Sequence, residues 1–173
     1  MHSLPQAMGV VFRQLDLEDV GELQVLFERC SAFFELTEGA PVSPRGAEDE
    51  LGLRAKGKGP EDTFCMGAFR GERLVGFIHL TRDYPKPNEW WLGLLLLDPE
   101  ARGAGLGAAI DEALRSWAMA NGARVMWLGV LVQNQAAERF WRGRGYVERE
   151  RQAYVSAAGL QSTLVMMSLD LLR

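Results

Sequence analysis

The sequence predicts an α/β fold with one central sheet flanked by helices. Three observations point to it. Apolar residues along the 173-residue chain recur at three- and four-residue spacing in some segments and at alternating or continuous spacing in others. These segments follow one another as β-α-α-β-β-β-α-β-α-β-β, with no repeat and no linker, so residues 1–173 read as one domain. A glycine-rich turn also stands between a fully apolar strand and a long amphipathic helix.

Val10 to Leu15 reads as the first strand, and the acids Asp16 and Asp19 follow it as helix-start residues. Leu23, Leu26, Phe27, Cys30 and Phe34 share one stripe, which predicts a helix from Val20 to Phe34. The Gly, Pro and Ser residues of 37–44 end it. A weaker helix runs from about Ala47 to Ala55, and Lys56 to Pro60 is a loop. Thr63 to Phe69 and Arg73 to Leu80 form a hairpin about Gly71-Glu72. After the proline loop 83–88, Glu89 to Leu97 is apolar at successive positions, as expected of a strand buried on both faces. Leu106, Ile110, Ala113, Leu114, Trp117 and Ala118 then mark a long helix, closed by Asn121-Gly122. Val125 to Val132 is a further buried strand. Asn134 is an N-cap for a short helix ending near Arg142, and Tyr146 to Val155 and Ser162 to Leu171 close the chain as strands.

Composition narrows the class. Apolar residues are 47% and charged residues 24%, an ordinary globular balance. The 19 basic residues against 23 acidic ones leave a charge of −4, which lacks the footprint of a nucleic-acid or membrane-surface binder. Two cysteines, Cys30 and Cys65, read as reduced core thiols, and two histidines without clustering make no metal site. The longest apolar run is eight residues, Trp90 to Leu97, where a membrane span needs about 20. Residues 1–11 carry no secretory pattern, so a cytoplasmic protein is expected.

The turn Arg102-Gly103-Ala104-Gly105-Leu106-Gly107 carries the chemistry. Three glycines in five residues let the backbone approach a ligand closely. The unpaired amides and positive dipole end of the following helix suit an anion such as a pyrophosphate. A GxxxxGK[ST] phosphate loop is absent. A dinucleotide fingerprint is nearly met, but it needs an acid at the end of the next strand, and residues 130–134 supply none. The pattern R-x-x-G-x-G is met directly by Arg102, Gly105 and Gly107. Asn134, Ala137, Phe140, Gly145 and Tyr146 match a second signature, N-x-x-A-x-x-F-Y-x-x-x-G-F. On these residues and the order of elements, the chain from Val10 to Leu171 resembles the GCN5-related N-acetyltransferase (GNAT) superfamily.

The resemblance implies a mixed, mostly antiparallel sheet whose two parallel strands, Glu89–Leu97 and Val125–Val132, splay apart between flanking helices. It implies that amides of Arg102, Gly103, Ala104, Gly105, Leu106 and Gly107 cradle the pyrophosphate of acetyl-CoA. Leu95, Leu96 and Leu97 would pair with the pantetheine arm, and the Leu95 amide would bond the thioester oxygen. Asn134, Ala137 and Trp141 would line the cofactor arm, with Asn134 also a helix cap. Arg139, Arg142 and Arg144 are candidates for the 3′-phosphate. Trp141 stands where the family has the tyrosine that protonates the thiolate, which leaves Tyr146 and Tyr84 as alternative donors. Glu89 is the first candidate base for the acceptor amine, followed by Asp83 and Glu35. Phe33, Phe34, Glu35, Tyr84, Trp90 and Trp91 are candidate walls of the acceptor site, although Trp90 and Trp91 must face opposite sides of their strand.

The reading is an acetyl-CoA-dependent N-acetyltransferase acting on a small-molecule or peptide amine, without metal, nucleic acid or membrane. A CoA-binding module without turnover is the alternative, and a nucleotide-dependent oxidoreductase is the third. The resemblance allows a homodimer, which no residue pattern specifies.

Overall fold

The computed structural model describes residues 4–7 and 9–173, so His2 lies outside the described residues. Seven strands form one sheet: β1 (Val11–Gln14), β2 (Thr63–Arg70), β3 (Arg73–Thr81), β4 (Glu89–Leu97), β5 (Val125–Leu131), β6 (Val147–Val155) and β7 (Gln161–Asp170). Their spatial order is β1-β2-β3-β4-β5-β7-β6, and all neighbours are antiparallel except β4 and β5. The α/β class and the single parallel pair agree with the sequence reading.

Helices cover the sheet unequally. Helix α4 (Leu106–Ala120) lays Ile110, Leu114 and Ala118 on one face, against Trp90, Met126 and Leu128. On the opposite face α1 (Val20–Arg29) and α3 (Gly46–Gly52) pack over β1 to β4, with Leu23, Leu26 and Phe27 against Phe77 and Leu96. Helix α5 (Gln135–Gly143) follows β5.

Two expectations change. The helix foreseen from Val20 to Phe34 is two helices, α1 and α2 (Ser31–Glu38), which break at Cys30 (φ −96°, ψ 24°). Cys30 is buried and its Sγ donates to the Leu97 carbonyl at 3.4 Å, so the chain bends there to close over the end of β4. Gly39, left-handed at φ 79°, then ends α2 with its amide on the Glu35 carbonyl.

Strand β4 is not buried on both faces throughout. The register against β3 slips at Gly93, with Leu80 opposite Leu92 and His79 opposite Leu94. This bulge inverts the alternation. Trp90 and Leu92 before it, and Leu95 and Leu97 after it, belong to the α4 side. Leu94 and Leu96 pack with α1 instead. Trp91, Leu94 and Leu95 remain only half-buried because they border open space rather than a second layer.

Candidate active site

The parallel strands are paired only from Glu89–Val125 to Leu92–Leu128. Beyond that point β4 continues along β3, and β5 along β7, with no ladder between them. The unpaired edges bound one continuous cleft of about 1520 Å³. Backbone groups freed from a ladder must find partners, so an open parallel seam favours a ligand that can itself pair as a strand does.

At one end of the cleft lies the turn into α4. Gly103 and Gly105 have φ +85° and +81°, values that disfavour any residue with a side chain. A Cβ at either would meet no atom within 4 Å, so glycine is favoured there by backbone shape and not by crowding from the protein. The first backbone bond of the helix runs from Ala109 to the Gly105 carbonyl, which leaves the amides of Leu106, Gly107 and Ala108 ahead of the ladder. Arg102 turns inward: its Nε donates to the Leu97 carbonyl at 3.0 Å and its Nη2 lies 3.7 Å from Cys30 Sγ. Its guanidinium ties the turn to β4, leaving anion contact to the amides.

Across the cleft, Asn134 caps α5 by accepting from the Ala137 amide at 3.2 Å. Trp141 is buried among the edges of Phe140 and Tyr146 and still borders the cleft. Tyr146 is directed away from it, toward Asp111 at 3.3 Å. Burial pushes its hydroxyl far up and the Asp111 charge adds to that, so it is no acid for this site. Arg144 is tied to Asp111 and Glu112, and Arg142 to Glu138 and Glu148. Arg139 makes no ion pair among the described residues.

The other end is aromatic and carries carboxylates. Trp91 meets Tyr84 edge-on at 6.3 Å, and Phe33 and Phe34 of α2 stand on the facing wall. The Glu89 carboxylate accepts from Trp127 Nε1 at 2.8 Å. His79 on β3 borders the same space, with Nδ1 2.6 Å from Glu50 Oε1.

The Acetyltransferase (GNAT) family model matches residues 26–146. The chain belongs to the GNAT acetyltransferase family. No curated protein matches the sequence significantly. Among solved structures, an acetyltransferase from Thermus thermophilus superposes with a TM-score of 0.73 at 20% identity, covering 95% of this chain and 98% of that one. The ribosomal-protein-S18-alanine N-acetyltransferase from Escherichia coli gives 0.69 at 19% identity, covering 94% of each chain. The GNAT domain of S. lividans PAT gives 0.69 at 15% identity, covering 96% of each. At such identities these likenesses speak for the fold alone.

The residues expected from the GNAT resemblance converge on the cleft. Glu89, Leu95, Leu96, Leu97, Arg102, Gly103, Gly105, Leu106, Gly107, Asn134, Ala137 and Trp141 all border it, and Ala104 does not. Of the acceptor walls, Phe33, Phe34, Tyr84 and Trp91 border it as well. Trp90 is instead core, stacked on Phe64 at 5.7 Å and edge-on to Trp117 at 5.4 Å. Glu35 does not border the cleft, and Asp83 accepts from the Asn88 amide in its own loop. Sequence reasoning missed Trp127, His79 and Glu50. A lone histidine in an apolar strand gives no signal until the register puts α3 beside it.

Proposed function

We propose that this GNAT protein transfers an acetyl group from acetyl-CoA to a primary amine of a small molecule or peptide, by direct attack in a ternary complex. The observation that carries the reading is the open parallel seam: unpaired edges of β4 and β5 lead from the amides at the start of α4 to an aromatic, carboxylate-bearing pocket. A pyrophosphate fits the first, a pantetheine amide chain fits the second, and an ammonium fits the third.

In this proposal the amides of Gly103 to Gly107 hold the pyrophosphate, and Leu95, Leu96 and Leu97 pair with the pantetheine. The Leu95 amide bonds the thioester oxygen, where negative charge develops during attack. Asn134, Ala137 and Trp141 line the opposite side. Glu89, held by Trp127, receives the acceptor as its ammonium. The amine must lose one proton before its lone pair attacks the thioester carbon. Collapse breaks the C–S bond, and the second nitrogen proton leaves with the thiolate as free CoA. A thiol with pKa near 8.5 leaves without a strong acid, which makes Trp141 compatible with turnover. Tyr84, bordering the acceptor end, is a remaining hydroxyl donor. The protein acts in the cytoplasm in this reading, alone or as a homodimer.

Trp141 also favours a second reading, a CoA-binding module without turnover, since an indole donates a hydrogen bond but no proton. The test is a melting experiment with acetyl-CoA, CoA and NADH, followed by thiol release with a panel of amines. Ligand at about 100 times its dissociation constant adds roughly 2.7 kcal/mol, a shift of several degrees. A shift with acetyl-CoA, none with NADH, and thiol release with an amine are expected. No shift with either CoA form overturns both readings, and a shift without transfer to any amine favours the module.

A further inference from the structure

His79 is the one buried histidine among the described residues, and its surroundings are specific. It lies on β3 opposite Leu94, the residue directly after the Gly93 bulge, and opposite Cys65 on its other side. Its ring Nδ1 is 2.6 Å from Glu50 Oε1 on α3. The other nitrogen, Nε2, has no hydrogen-bond partner among the described residues. His79 and Glu50 both border the cleft, and Nε2 is the ring nitrogen that Glu50 leaves unengaged.

A carboxylate on Nδ1 accepts a proton there, which fixes the neutral ring with a lone pair on Nε2 and stabilises the imidazolium once Nε2 is protonated. Among the described residues, the charged and titratable groups near the ring are Glu50 on α3, Arg54 just after it, and Cys65 on β2. Strand β4 presents only Leu94. Among the described residues Glu50 makes no ion pair with a lysine or arginine; Arg54 Nη1 donates instead to the Leu51 and Leu53 carbonyls at 2.8 and 2.6 Å. The register sets His79 opposite Leu94, one residue from the Leu95 amide to which the proposed function gives the thioester oxygen.

We propose that His79, oriented by Glu50, is the group that deprotonates the acceptor amine, with Glu89 holding the ammonium and His79 Nε2 taking its proton. This rests on the transferase reading above. The N–H bond of the ammonium breaks and its electron pair stays on nitrogen. The proton forms an N–H bond at Nε2, giving an imidazolium paired with Glu50. The free amine then attacks the thioester, CoA leaves with the second amine proton, and His79 returns its proton to solvent. A ring nitrogen with a free lone pair can take that proton directly. His79 is the catalytic residue of the pair and Glu50 the positioning residue.

The test compares wild type, His79→Gln, Glu50→Gln and Glu89→Gln, with the acetyl-CoA melting shift as the check that each variant folds and binds. His79→Gln is expected to lower kcat about 10²- to 10⁴-fold, to keep the KM for acetyl-CoA, and to abolish the acid limb of the kcat/KM profile. Glu50→Gln should lower kcat and leave the KM for acetyl-CoA in place, a split that a merely structural contact would not give. Glu89→Gln should raise the KM for the amine and leave the limb in place. If His79→Gln keeps the limb and Glu89→Gln removes it, the proposal is overturned. A wild type that shifts with acetyl-CoA and acetylates no amine sinks the transferase reading instead. One arm needs neither turnover nor a variant at residue 79. Nitrogen-15 spectra of His2→Gln protein report His79 alone, and in the neutral ring they should show the proton on Nδ1 and a bare Nε2. A proton on Nε2 there makes it a donor and overturns the assignment.

Discussion

Trp127 Nε1 donates to the Glu89 carboxylate at 2.8 Å, and the two residues sit on the stretch where the parallel strands are still paired. The bond holds a carboxylate on the cleft, beside the rings of Tyr84 and Trp91. Trp127→Phe keeps the ring and removes the donor. With one hydrogen bond to a charged group lost, the KM for the acceptor amine should rise about tenfold or more. The acetyl-CoA affinity, set at the other end of the cleft, should not change. Steady-state kinetics with each substrate varied separately checks this, and an equal loss on both sides would refute it.

Gly105 and Gly21 should respond in opposite ways to alanine. Gly105 has φ +81°, and a left-handed alanine there costs about 1–2 kcal/mol. Its new methyl meets no protein atom within 4 Å, so it projects into the space where the pyrophosphate is proposed to sit. Gly105→Ala should therefore weaken acetyl-CoA by more than tenfold, beyond its modest loss of stability. Gly21 lies inside α1 with open space around it, and Gly21→Ala should gain about 0.5–1 kcal/mol. Melting and ligand titration of the two variants separate backbone strain from ligand contact.

What was legible in the sequence was local. The Arg102 to Gly107 turn, the cap at Asn134 and the apolar run of β4 are each written within a few residues, and so could be read without the fold. The contacts that shape the acceptor end are not local. His79 reaches Glu50 across 29 residues, Trp127 reaches Glu89 across 38, and Cys30 bends α1 from α2 through a carbonyl 67 residues on. Their partners depend on strand register, and that register turns on one bulge at Gly93. No periodicity in β4 announces the bulge, because leucines flank it on both faces.

Trp90 and Trp91 are neighbours with different tasks. Trp90 is buried between Phe64 and Trp117, and removing it leaves a cavity under α4. Trp90→Ala should cost about 3–5 kcal/mol. Trp91 is half-buried, borders the cleft and touches Tyr84 edge-on. Trp91→Ala should cost about 1 kcal/mol of stability and raise the KM for the amine. Urea melts of both variants beside their kinetics test the division.

Both cysteines should resist alkylation in the native protein. Burial raises the Cys65 thiol to about 11, the nearby Glu50 charge adds to this, and Arg54 opposes it. Burial also raises Cys30, although Arg102 pulls it back in part. The thiolate is the reactive form, so at pH 8 neither thiol should react with iodoacetamide until the chain unfolds. Mass spectrometry after timed exposure, with and without urea, reads this directly. Rapid labelling of folded protein would show that the α1–α2 bend opens.

Asp98 links the acid stability of the fold to the glycine turn. It is fully buried at the end of β4, takes Arg29 at 2.9 Å and Arg73 at 3.0 Å, and accepts from the Glu100 amide at 3.0 Å. Burial alone would raise its carboxyl, but the Glu100 amide and then the two guanidiniums outweigh burial and hold it below the usual carboxylate range. A carboxyl lowered by folding contributes stability that is present above its ordinary value of about 3.9 and is lost as pH falls through the folded one. Asp98→Asn removes the charge at every pH. At pH 7 it should cost about 2 kcal/mol, less than a fully buried pair would, because both arginines are partly in water. Below pH 4 the variant should show a shallower loss of stability with acid than wild type. Because Asp98 caps the short turn that leads into Arg102 and Gly103, acetyl-CoA binding should fall with it. Urea midpoints at a series of acid pH values, with and without acetyl-CoA, test both statements. Parallel slopes for the two proteins below pH 4 would place the acid sensitivity elsewhere.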